Sequence, residues 1–172
     1  MGTNSYSIEA IRGAVGLVNL YVNGSEAVSW SALRSLLERY DLDEQAIDTE
    51  AFGELAAQVR TVFVTADRAT RIENLNRLLE RFEPRPRLVE HGHEPLHFHH
   101  RPADEAPLEH VGASCVMALA DAMIGGDDDR LGLCQAPRCS RVFFDQTRAR
   151  IQRYCSRACA TRVHVAAYRA RR

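Results

Sequence analysis

The chain contains no lysine: all 22 of its basic residues are arginine. An arginine at any one position therefore says little about a preference over lysine, and the bias points to GC-rich coding DNA. No apolar run suffices to cross a bilayer. The most apolar stretch, Val111–Ile124, is short and includes Asp121, whereas a spanning helix needs about 20 apolar residues. The N-terminus lacks a basic segment followed by an apolar run, so no secretory signal is expected. Met1-Gly2 lacks the Ser or Thr that myristoylation requires, because Tyr6 stands there. The expected location is the cytoplasm. Internal repeats are absent, as are a phosphate-binding glycine loop, a nucleophile–base pair and a paired-acid motif, so the protein is not expected to be an enzyme.

Acidic residues are nearly missing from the last quarter of the chain. Residues 131–172 hold ten Arg and a single acid, Asp145, a net of +9. Residues 1–130 hold 12 Arg against 22 Asp and Glu, a net of −10, so the overall charge of −1 conceals a split. Such asymmetry suggests a polyanionic partner for the basic end, nucleic acid first. The alternative is that the basic segment pairs with the acidic part of the same chain or of a neighbour. The remaining composition, 45% hydrophobic and 26% charged, is that of an ordinary globular protein.

Apolar periodicity predicts helices over residues 8–21, ending at Asn23-Gly24, and over a short segment capped by Ser29 or Ser31. A long helix is predicted from Asp48 to about Phe82, stopped by Pro84 and Pro86. Arg87–His91 and Pro95–His100 read as a hairpin around Gly92. Pro107 opens another helix that runs to Gly125-Gly126. Asp127-Asp128-Asp129 reads as a solvated linker and a domain boundary, with residues 1–125 expected to fold alone. Beyond it, Val142–Phe144 reads as a strand and Ser156–Arg169 as a helix.

Five cysteines are present, and four are clustered: Cys134-x4-Cys139-x15-Cys155-x3-Cys159. Two close pairs at this separation fit one tetrahedral zinc ion with four sulfur ligands, and a reducing compartment argues against disulfides. Cys155 and Cys159, four apart, face the same side of a helix start. Four thiolates leave no position open for water, so the metal is expected to be structural. Cys115, within an apolar helix, is expected to be a core residue.

The segments Cys134-Gln-Ala-Pro-Arg-Cys139, Val142-Phe143-Phe144-Asp145, Tyr154-Cys155-Ser156-Arg157-Ala158-Cys159-Ala160-Thr161-Arg162 and Val165-Ala166-Ala167-Tyr168-Arg169 resemble the CGNR zinc finger. More loosely, residues 8–125 are similar to the bacterial ABATE domain, through Leu17-Val18-Asn19 and Leu96-His97-Phe98-His99. The signature tetrapeptide starts at Cys159. Ala160 and Thr161 depart from its Gly and Asn, and Arg162 retains its last position. The resemblance implies a stress-response transcription regulator. It also implies an α+β fold: a mostly helical domain with a small β-hairpin (1–126, sensing or dimerisation), then a small, treble-clef-like, arginine-rich zinc finger (130–172).

The expected nucleic-acid contacts are Arg148, Arg150, Arg153, Arg157, Arg162 and Arg169, with Thr147, Gln152 and Thr161 as polar additions. Tyr168 is expected to pack on the module. Five histidines surround the predicted hairpin. His97 and His99 share one strand face, opposite Leu96, Phe98 and His100, and are a possible metal or ligand site. His91 and His93 read as turn residues. The leading functional expectation is a DNA-binding regulator with one zinc ion, a possible homodimer with an unknown small-molecule effector. The rivals are a protein-interaction module with a basic surface, and an enzyme built on the His97/His99 strand.

Overall fold

A computed structural model of the chain describes residues 5–22, 28–38, 47–90, 96–101 and 106–172. The elements in order are α1 (Ser5–Leu20), α2 (Trp30–Glu38), α3 (Thr49–Val64), α4 (Arg68–Phe82), β1 (Arg87–Val89), β2 (His97–His99), α5 (Pro107–Ile124), a 3-10 turn (Asp128–Arg130), β3 (Leu131–Leu133), β4 (Val142–Phe144) and α6 (Arg157–Arg169). This is the expected α+β class. Among the described residues no helix is long and apolar enough to cross a membrane.

The single helix expected from Asp48 to Phe82 is two. Apolar residues recur at helical spacing in both segments, Phe52, Leu55, Val59 and Val62 in one and Leu75 and Leu78 in the other, but on one continuous helix the two sets would lie on different faces, because the 23 residues from Phe52 to Leu75 make about 6.4 turns. Cap chemistry makes the break. Thr65 is extended, and the Asp67 carboxylate accepts the Thr70 N–H at 2.8 Å and its hydroxyl at 2.6 Å, starting α4 afresh. Arg71, itself buried, donates from Nε and Nη2 to the Thr65 carbonyl across the bend. Asp48 caps α3 as expected, accepting from Glu50 and Ala51. Glu83, in the left-handed region at φ 38°, ends α4 just before Pro84.

α5 is the centre of the body and packs against α1, α3 and α4. Residues are buried around nearly its whole circumference, Cys115 among them. Close packing with α4 depends on Gly112: a Cβ there would come within 2.3 Å of a carbon of the Phe82 ring, which is fully buried.

The core does not stop at the boundary expected at residues 127–129. β3 and β4 pair antiparallel, Leu131 opposite Phe144 and Leu133 opposite Val142, and their buried Leu131, Val142 and Phe144 join the helical core. Nor is the acidic run a solvated linker. Asp127 is buried and bridges Arg130 and Arg150 at 2.8 Å each, and Asp128 pairs with Arg68 at 3.3 Å.

β1 and β2 pair antiparallel with Leu88 opposite Phe98. Phe98 is exposed, whereas His100 is buried, because the strand ends at His99 and the alternation ends with it. The turn expected at His91, Gly92 and His93, and the helix stop at Asn23-Gly24, lie outside the described residues.

Candidate metal centre

β3 delivers Cys134, whose N–H extends the hairpin by donating to the Arg141 carbonyl at 2.9 Å. The loop then turns at Pro137-Arg138, with Arg138 at φ 60°, and the Cys139 N–H closes it on the Ala136 carbonyl at 3.1 Å. The second pair is set by the start of α6, where Ser156 Oγ accepts the Cys159 N–H at 3.2 Å. Two bonds join the halves: Gln135 N–H to the Arg153 carbonyl at 2.9 Å, and Cys155 N–H to Cys134 Sγ at 3.3 Å.

The four sulfurs converge. Cys139, Cys155 and Cys159 Sγ are mutually 3.8 Å apart, and all four lie within 4.8 Å of one another. A tetrahedral zinc with Zn–S bonds of about 2.3 Å requires sulfur–sulfur edges of about 3.8 Å, so the donor set fits the ion. Electrostatics agree. Burial and the neighbouring sulfurs push the Cys155 thiol up to about 12. At Cys134 burial opposes ionisation, but the backbone N–H groups of Cys155 and Ala136 outweigh it and bring the thiol down to about 7. Four thiolates this close need a cation among them. The module's own core consists only of Cys134, Ala136 and Cys159, flanked by Tyr154 and Val163 among others. Metal ligation must therefore supply much of its folding free energy, on the order of 10 kcal/mol for structural zinc sites. The site is a structural four-cysteine zinc centre.

The six arginines expected on nucleic acid divide into two sets. Arg148, Arg153, Arg157 and Arg169 are exposed, and their side chains make no hydrogen bond or ion pair among the described residues. Arg150 and Arg162 are engaged within the chain. Arg150 holds Asp127 at 2.8 Å, Asp129, and the Gly126 carbonyl at 2.9 Å. Arg162 donates to the Pro137 carbonyl at 3.3 Å and to Cys159 Sγ at 3.6 Å. Arg138 and Arg141, which the sequence did not single out, are also exposed without such partners among the described residues. Thr147 and Gln152 serve their own loop: Thr147 Oγ1 accepts the Ile151 N–H and Gln152 donates to the Tyr154 carbonyl. Thr161 is exposed. Tyr168 is not packed on the module; it is 58% exposed, with the Arg172 guanidinium 5.0 Å from its ring centre.

Asp145, the lone acid of the basic segment, has a structural part that its solitude in the sequence signalled. Buried, it accepts the backbone N–H groups of Thr147 at 2.7 Å and Gln152 at 2.8 Å and so shapes the loop carrying Arg148 and Arg150. Burial acts against its charge, but these bonds and Arg130 hold its carboxyl below the usual range.

The His97 and His99 rings lie 5.1 Å apart, and His99 meets His110 of α5 edge-on at 5.6 Å. Among the described residues, the only group of three or more His, Cys, Asp or Glu with converging donor atoms is the four cysteines. His100 is neutral: burial first, then His110 and His99, lower its pKa to about 4.

No curated protein matches the chain. Residues 130–172, the segment that holds the four converging thiols, match the family described as the CGNR zinc finger.

Proposed function

We propose that the protein is a DNA-binding transcription regulator of the bacterial cytoplasm, whose zinc finger contacts DNA and whose helical body senses an effector or forms a dimer. The observation that carries this reading is the set of exposed arginines in the finger segment, Arg138, Arg148, Arg153, Arg157 and Arg169, which have no ion pair among the described residues, in a segment with one acid that is turned inward. Uncompensated guanidinium groups are what a phosphate backbone neutralises. α6 buries only Cys159, which leaves most of the helix free to lie in or across a groove. The metal, enclosed by four thiolates, braces this helix and offers no open position for catalysis.

The exposed Val165 and Tyr168 on α6 favour a second reading, a basic face that docks on an acidic protein. Fluorescence anisotropy on the protein's own promoter region, across a salt series and with and without chelator, tests the first. Binding that weakens steeply with salt and disappears with the metal supports it. No binding at low salt leaves the second.

A further inference from the structure

We propose that Arg162 is an outer-sphere residue of the zinc centre that offsets thiolate charge and tethers the knuckle, and is not a phosphate contact. The proposal rests on the zinc reading of the four cysteines. Four thiolates on a divalent cation leave a net double negative charge in a partly buried site, and N–H donors to sulfur disperse it. Cys134 receives such a donor from the Cys155 backbone at 3.3 Å. Cys159 receives one from Arg162 Nη2 at 3.6 Å.

The same nitrogen donates to the Pro137 carbonyl at 3.3 Å, inside the loop between Cys134 and Cys139. Arg162 thus joins both halves of the site: it lies one helical turn beyond a ligand of the second pair and grips the loop of the first. Its neighbour Thr161 is exposed, and its side chain forms no hydrogen bond among the described residues. The departure from the signature tetrapeptide at that position therefore falls away from the metal, while its last residue reaches the sulfur.

The test uses full-length Arg162→Gln and Arg162→Lys, with Arg169→Gln as an exposed control. Zinc affinity is measured by competition with a chromophoric chelator. Cobalt(II) replaces zinc for spectroscopy. Arg162→Gln is expected to bind zinc about 10–100-fold more weakly. Its sulfur-to-cobalt charge-transfer band should move to lower energy, because Cys159 loses its donor. Arg162→Lys keeps a charge and recovers part of both, and Arg169→Gln changes neither. Parent affinity and an unmoved band in Arg162→Gln overturn the proposal, as does a DNA salt slope reduced by about one with zinc affinity intact. If Arg162→Gln does not fold, Arg162→Lys with parent values in both readouts overturns it. A parent protein that binds no zinc sinks the zinc reading instead, and is told apart by its empty cobalt spectrum.

Discussion

The Asn19 side-chain amide donates to the Val142 carbonyl at 2.9 Å and accepts the Val142 N–H at 2.8 Å. α1 thereby completes the hydrogen bonding of β4 and fastens the zinc finger's hairpin to the helical body. Arg60, donating to the Ser140 carbonyl at 2.6 Å, adds a second fastening from α3. Asn19→Leu leaves a backbone donor and acceptor of Val142 without partners, and is expected to cost about 2–4 kcal/mol by urea unfolding. Asn19→Asp retains the acceptor and should cost about half as much. Equal stability of all three proteins would show that solvent replaces the amide at no cost.

The division of the core changes what a truncation should do. A fragment ending at residue 126 lacks Leu131, Val142 and Phe144, which fill the body's core, and it is expected to unfold at lower urea than a fragment ending at residue 147. Comparable midpoints would mean that the body closes without the hairpin.

Metal removal acts on the other core. Purified protein should hold one zinc per chain, and Cys139→Ser should lose it. Hydrogen exchange is expected to rise throughout residues 153–169 while α5 stays protected, because the hairpin is held by the body. A full zinc content in Cys139→Ser would refute the four-sulfur set.

His100 should make stability pH-dependent. Its folded pKa of about 4 lies below the ordinary value of 6.5, so the unfolded chain takes up the proton first. The contribution is fully present above pH 6.5 and is lost as pH falls towards 4, on the order of 2–3 kcal/mol in all. His99 and His110 face the group, and Glu109 pairs with the adjacent Arg101 at 3.7 Å. His100→Phe should flatten the stability profile between pH 6.5 and 4. An unchanged profile would place the effect on other groups.

The two sets of arginines should separate in DNA binding. Arg157→Gln with Arg169→Gln is expected to lower the log–log salt slope by about two without loss of stability. Arg150→Gln should instead destabilise the fold by about 1–2 kcal/mol, discounted for its partial exposure, because the buried Asp127 loses this guanidinium partner. A slope unaffected by the double change would move the nucleic-acid face elsewhere.

What the sequence determined by itself was local. Cysteine spacing names the metal and its ligands, Asp48 and Ser156 start helices, Pro84 and Pro107 bound them, and all of this chemistry acts within a few residues. The break at Thr65–Asp67 was legible in principle, as a cap followed by Thr70 and as a change of helical phase between the apolar positions on either side, but the helical spacing within each segment concealed it. Tertiary structure alone decided which arginines face outward. Arg148 and Arg150 sit in one basic loop and look alike, yet Arg150 meets Asp127 and Asp129 from the end of α5 and Arg148 meets no such partner among the described residues. It also decided that the core crosses the acidic run, because Leu131, Val142 and Phe144 belong to the finger by sequence and to the body by contact. Charge pairing and core membership depend on which segments the packing brings together from distant parts of the chain, and a pattern with a period of two or four residues carries no record of that.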